Sequence, residues 1–97
     1  MPTREVEEQF VRDFARLTPQ QRQAFLAALR EFIQDCDSGD FRASLHVHPM
    51  RGHAGIWEMA WEGNDGRATF AWGPTRLPGK RHVIWRRVGG HEIYNNP

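Results

Sequence analysis

The hydrophobic period of this chain changes once, at Asp40, and that change narrows the folds open to it. Before it apolar residues recur at helical spacing, and after it they alternate. Val6, Phe10, Phe14 and Leu17 fall at i, i+4, i+8 and i+11, predicting a helix of about three turns that starts near Thr3 or Arg4. Glu5, Glu7 and Glu8 stand where the helix dipole favours negative charge. Thr18-Pro19-Gln20-Gln21 then restarts the helix: Thr18 is the N-cap, Pro19 suits the first helical position and Gln21 completes a capping box. Phe25, Leu26, Leu29, Phe32, Ile33 and Cys36 form the apolar face of this second helix, and Asp37-Ser38-Gly39 ends it. The two helices are expected to pair as an antiparallel hairpin.

In the second half, Leu45 and Val47 alternate with His46 and His48 before Pro49, which predicts a short edge strand over 44–48. A strand over 56–62 sets Trp57, Met59 and Trp61 against Glu58, Ala60 and Glu62, and Gly63-Asn64-Asp65-Gly66 supplies turn chemistry to a partner strand over 67–72. A loop from Gly73 to Gly79 leads to a last strand over 81–88, apolar on both faces at Val83-Ile84-Trp85 and ended by Gly89-Gly90. The expected architecture is α+β, with the helix hairpin packed on one face of a three- to four-stranded antiparallel sheet. The other face is left for function. Ninety-seven residues leave no room for a second domain, so residues 1–97 are read as one.

Charge is divided along the chain. Residues 1–40 hold five arginines against eight acids, a net −3, whereas residues 41–97 hold eight cations against four acids, a net +4, with all five histidines. The second half is therefore expected to face an anion, nucleic acid being the commonest macromolecular one. The lone Cys36 excludes a disulfide framework and a multi-cysteine zinc site, and fits a reducing compartment. The acidic start does not resemble an export signal, and the longest apolar run, Ala24 to Leu29, is far too short to span a bilayer. A cytoplasmic protein without a membrane partner is expected. Neither a phosphate-binding P-loop nor a GxGxxG element occurs, which argues against nucleotide-cofactor enzymes.

The order of two helices then a meander, with Gly55-Ile56-Trp57-Glu58-Met59, Gly66-Arg67-Ala68-Thr69-Phe70 and the closing Val83-Ile84-Trp85-Arg86-Arg87-Val88-Gly89-Gly90-His91-Glu92-Ile93-Tyr94, resembles the RelE/ParE superfamily of type II toxin–antitoxin toxins over nearly the whole chain. The resemblance implies a RelE-like microbial RNase fold and a cognate antitoxin as partner. For the YoeB/HigB-like branch it implies ribosome-dependent cleavage of mRNA through 2′-hydroxyl attack. The ParE branch shares the fold but inhibits DNA gyrase without catalysis; a diverged protein-binding module is the third reading.

Metal-independent RNA cleavage needs a base for the 2′-hydroxyl, cations for the phosphorane, an acid for the leaving oxygen and a surface for the nucleobase. Glu58 alternates away from Trp57 and Met59, and by resemblance to the YoeB branch it is the candidate base; Arg67, by resemblance, binds the scissile phosphate. Strict strand alternation lets only one of Arg86 and Arg87 join the site and does not decide which; Arg87 is the catalytic candidate. His91 and Tyr94 fall where the superfamily's ribonucleases place a catalytic histidine or tyrosine. Arg51, Arg81 and Arg86 are further candidates for RNA phosphate contacts. RelE-type lysine chemistry is disfavoured because Lys80 is the single lysine, and Ala60 stands where a basic residue is common in the family. No cofactor or metal is expected, although His46-x-His48 on one strand face, with His53, His82 or His91 as a third ligand, is the rival metal reading.

Overall fold

The structure, a computed structural model, describes residues 1–61 and 65–97. Five strands form one sheet in the order β1-β5-β4-β3-β2: β1 (Thr3–Val6), β2 (His48–Pro49), β3 (Trp57–Trp61), β4 (Gly66–Gly73) and β5 (His82–Gly89). Two helices, α1 (Glu8–Arg16) and α2 (Pro19–Cys36), lie between β1 and β2, and 3-10 turns cover Ala43–Leu45 and His91–Asn95. The α+β expectation holds, but the sheet is five-stranded and mixed rather than three- to four-stranded and antiparallel.

The difference begins at the first residues. Thr3 to Val6 form no helical turn but pair in parallel with β5, Thr3 opposite His82 and Val6 opposite Trp85. The parallel partner is made possible by a long crossover through both helices. Thr3 and Val6 are β-branched, and His82 to Trp85 would otherwise leave an unpaired edge; satisfying that edge outweighs the helical spacing of Val6 with Phe10. Helix α1 is consequently nine residues long. It continues along the edge of β5 where β1 stops: the Glu7 N–H donates to the Trp85 carbonyl, and the Asp13 carboxylate accepts from the Val88 N–H at 3.2 Å. The expected helix hairpin is thus replaced by two helices that serve different parts of the sheet, α1 its edge and α2 its face, joined where Phe25 packs on Phe10 and Phe14.

The second helix follows its sequence signals. Thr18 Oγ1 accepts from the Gln21 N–H and Gln21 Oε1 from the Thr18 N–H, closing the capping box, and Gly39 (φ +74°) takes the left-handed conformation beyond the last turn. Arg42 then clamps that end, with Nε on Asp35 and Nη1 on Glu31 at 2.8 and 2.9 Å. These hydrogen bonds, ahead of the charge itself, hold the Asp35 carboxyl at about 2. The core lies between α2 and one sheet face. Fully buried Phe32 meets Phe70 and Trp85 edge-on at centroid separations of 5.2 Å, and Met59, Ala68, Val83 and Val88 complete the layer.

The edge strand expected over 44–48 is displaced. Ala43–Leu45 form a 3-10 turn, His46 adopts left-handed φ/ψ (48°, 45°), and only His48–Pro49 pair with β3. Glu62, Gly63 and Asn64, and with them most of the turn expected at 63–66, lie outside the described residues. Among the described residues no helix is long and apolar enough to cross a membrane.

Candidate functional site

Cross-strand register brings a row of polar residues together on the sheet face opposite the core. His48 stands opposite Glu58, Glu58 opposite Thr69, and Thr69 opposite Arg87, so four strands contribute one residue each. The next row is Ala60, Arg67 and Gly89. Above these rows is a cleft of about 230 Å³ lined by His46, His48, Glu58, Met59, Ala60 and Arg67.

Glu58 is buried in the cleft. Its Oε1 lies 2.6 Å from His48 Nε2, while its Oε2 and the neighbouring Thr69 Oγ1 are buried with no hydrogen-bond partner among the described residues. Buried oxygens without partners are rare in folded proteins, and here two come from one cross-strand pair. Arg67 Nη1 donates to the Gly66 carbonyl and its Nε to the Tyr94 hydroxyl, both at 2.8 Å. Burial pushes the Tyr94 hydroxyl up from its ordinary value; the adjacent Glu58 carboxylate adds to this and Arg67 opposes it. Tyr94 is therefore a protonated donor at neutral pH. His91 meets its ring edge-on, 5.5 Å between centroids.

The tail that carries Tyr94 is folded onto the sheet by several ties. Ile93 is buried, and the Glu92 carboxylate accepts from the Gly90 N–H so closely that a Cβ at Gly89 or Gly90 would lie 2.7 or 2.6 Å from its oxygens. A side chain at either position would push the Glu92 carboxylate aside, so the Gly89-Gly90 segment is a packed corner.

The arginine pair departs from strict alternation. Thr69 faces Arg87 and Phe70 faces Trp85, leaving Arg86 as an extra, bulged residue. Trp85 and Val88 both reach the core, and neither Arg86 nor Arg87 lines the cleft. Arg87 Nε donates to Asp13 at 2.7 Å and its Nη1 to the Asn96 carbonyl, while Arg86 reaches the Pro97 carbonyl and Glu7. Burial would raise the Asp13 carboxyl, but hydrogen bonds from Arg87, Gln9 and the Val88 N–H hold it below its usual range. The other expected phosphate ligands lie apart. Arg81 sits 4.2 Å over the Trp72 ring at the opposite end of β5, and Arg51 is exposed in the loop after β2.

Arg67 contacts Tyr94, whose ring meets His91 and whose hydroxyl lies beside Glu58; Arg87 stands in the same row as Glu58 but is tied to Asp13 and Asn96, and Arg86, Arg81 and Arg51 lie elsewhere. The histidines do not converge either. His46 lies in a left-handed turn rather than on the strand face of His48, and His82 is buried between Thr3 and Glu5. Among the described residues no three His, Cys, Asp or Glu side chains are placed to hold a metal ion. Sequence reasoning missed His48 as a partner of Glu58. The signal was Pro49, which holds the preceding residue extended and so places His48 in register with β3.

A scan of protein-family models matches none, and no curated protein sequence matches. Solved structures do. A chain of the E. coli DinJ–YafQ toxin–antitoxin complex superposes with a TM-score of 0.66 at 19% identity, over 95% of this chain and 94% of that one. This is a RelE-like fold. YafQ of E. coli alone gives 0.64 at 18% identity over 97% and 98% of the two chains, and isolated E. coli RelE toxin gives 0.59 at 14% over 98% and 93%. The RelE-like fold thus extends over nearly the whole chain.

Proposed function

We propose that this protein is the toxin of a toxin–antitoxin pair and cleaves mRNA on the ribosome. The reading rests on the convergence of Glu58, His48, Arg67 and Tyr94 on the open face of a RelE-like sheet. Glu58 takes the proton of the 2′-hydroxyl, and His48 supports it as the partner of Oε1. The 2′-oxygen attacks phosphorus while the bond to the 5′-oxygen breaks, leaving a 2′,3′-cyclic phosphate. Arg67 stabilises the added charge of the phosphorane, and the His91–Tyr94 pair supplies the proton to the leaving oxygen and a ring edge to the base. Arg87, tied to Asp13 and Asn96, acts through the tail that it anchors. No cofactor enters these steps.

A cognate antitoxin is the proposed partner, presenting acidic and apolar residues to the basic second half of the chain. Support comes from the similar fold found in the DinJ–YafQ complex and in the RelB–RelE complex of Methanococcus jannaschii, the latter matching at TM-score 0.59 and 15% identity over 95% of this chain.

The test is addition of the purified chain to translating ribosomes, with primer extension to map in-frame cuts. Cleavage is expected, with a loss of about 100-fold or more in Arg67→Ala, the scale of one removed transition-state donor. Intact message together with inhibited gyrase supercoiling would overturn the nuclease reading in favour of a ParE-like one. Co-expression with the product of the adjacent reading frame is expected to restore growth.

A further inference from the structure

We propose that His46 is the positioning residue of the His48–Glu58 pair, and that it acts through its backbone carbonyl rather than its imidazole. The proposal rests on the preceding reading that His48 and Glu58 handle protons, and it adds what holds them in place. Among the described residues His46 is the one non-glycine with positive φ. Its N–H closes the 3-10 turn onto the Ala43 carbonyl at 3.1 Å, and its left-handed backbone then turns its own carbonyl to His48 Nδ1 at 2.7 Å. Conformations of this kind survive only where the surroundings impose them, and they gather at functional sites.

A carbonyl can only accept, so His48 Nδ1 carries a proton and Nε2 is the nitrogen turned to Glu58 Oε1. The imidazole is held at both ends, by the His46 carbonyl at Nδ1 and by Glu58 Oε1 at Nε2. Strand β2 is two residues long, too short to fix this ring by its ladder alone, and His48 is half exposed. The charged or titratable groups that face the pair are Arg67 from β4 and Tyr94 from the tail, with the exposed imidazole of His46 at the mouth. None of these is placed to orient Nδ1; the His46 carbonyl is.

The two readouts are long-range proton–nitrogen spectra of histidine-labelled protein, which report the protonated ring nitrogen of His48, and the rate of message cleavage. His46→Val, whose branched side chain resists positive φ, is expected to remove the Nδ1–H signature and to slow cleavage tenfold or more. His46→Gly, which adopts the left-handed conformation without steric cost and discards the imidazole, is expected to recover most of both. A glycine variant as impaired as the valine variant, or a valine variant with an unchanged His48 spectrum, would overturn the proposal. If His46→Val does not fold, the glycine spectrum decides: loss of the Nδ1–H signature there refutes the carbonyl's role. Absence of cleavage by the wild-type chain would overturn the nuclease reading alone, because the nitrogen spectra test the positioning without it.

Discussion

Thr69 and Glu58 each bury an oxygen that finds no partner among the described residues, at a cost of about 1–3 kcal/mol for each such group. A sheet position opposite the core would hold valine without that cost. Thr69→Val is therefore expected to stabilise the protein by about 1 kcal/mol in urea unfolding while slowing cleavage, because the hydroxyl beside Glu58 is lost. Equal cleavage by the variant would show that this hydroxyl has no part in the reaction. Glu58 and Arg67 were legible in the sequence because alternation assigns Glu58 to the open face and a turn places Arg67 at the start of the next strand. His48 was legible only as a histidine, since its role follows from pairing across strands and from the left-handed turn at His46. Which of Arg86 and Arg87 joins the open face was not legible, because alternation assumes an unbroken ladder, and the bulge at Arg86 breaks it.

At the level of elements, signals carried by neighbouring residues were readable, as the capping box at Thr18 and the terminator at Gly39 show. Strand β1 was not, because four residues continuing a helical stripe say nothing about an unsatisfied edge near His82. The joint between α1 and β5 rests on Asp13, which accepts from both Arg87 and the Val88 N–H. Asp13→Asn removes the charge partner of a largely buried guanidinium and is expected to cost about 2–4 kcal/mol, measured by denaturant titration. Both Asp13 and Asp35 sit below the ordinary value of 3.8. A depressed carboxyl contributes stability that is complete above its unfolded value and is lost as pH falls through its folded one. The melting temperature is thus expected to fall as pH drops from 3.8 toward the Asp35 value of about 2, and Asp35→Asn to flatten part of that fall.

Across the whole molecule, the tail is part of the fold as well as of the site. Ile93 is buried against the sheet, and two arginines of β5 hold the Asn96 and Pro97 carbonyls. Ile93→Ala is expected to destabilise by about 2–4 kcal/mol, whereas Tyr94→Phe, which removes only the hydroxyl bonded to Arg67, is expected to leave the melting temperature nearly unchanged and lower cleavage. A Tyr94→Phe variant that melts as low as Ile93→Ala would make the tail a structural seal alone.

Strand β5 is where all these parts meet, with β1 on one side, β4 on the other, α1 along its edge and the tail beyond its end. Thr3 and His82, hydrogen-bonded in the finished sheet, are 79 positions apart in sequence. Synthesis proceeds from the first residue onward and pairings between distant segments form slowly, so β1 and both helices must wait for the rest of the chain before they have a sheet to join. Arg67 cannot meet Tyr94 until still later. The cleft therefore cannot assemble on a nascent chain until Tyr94 has been made and has reached Arg67.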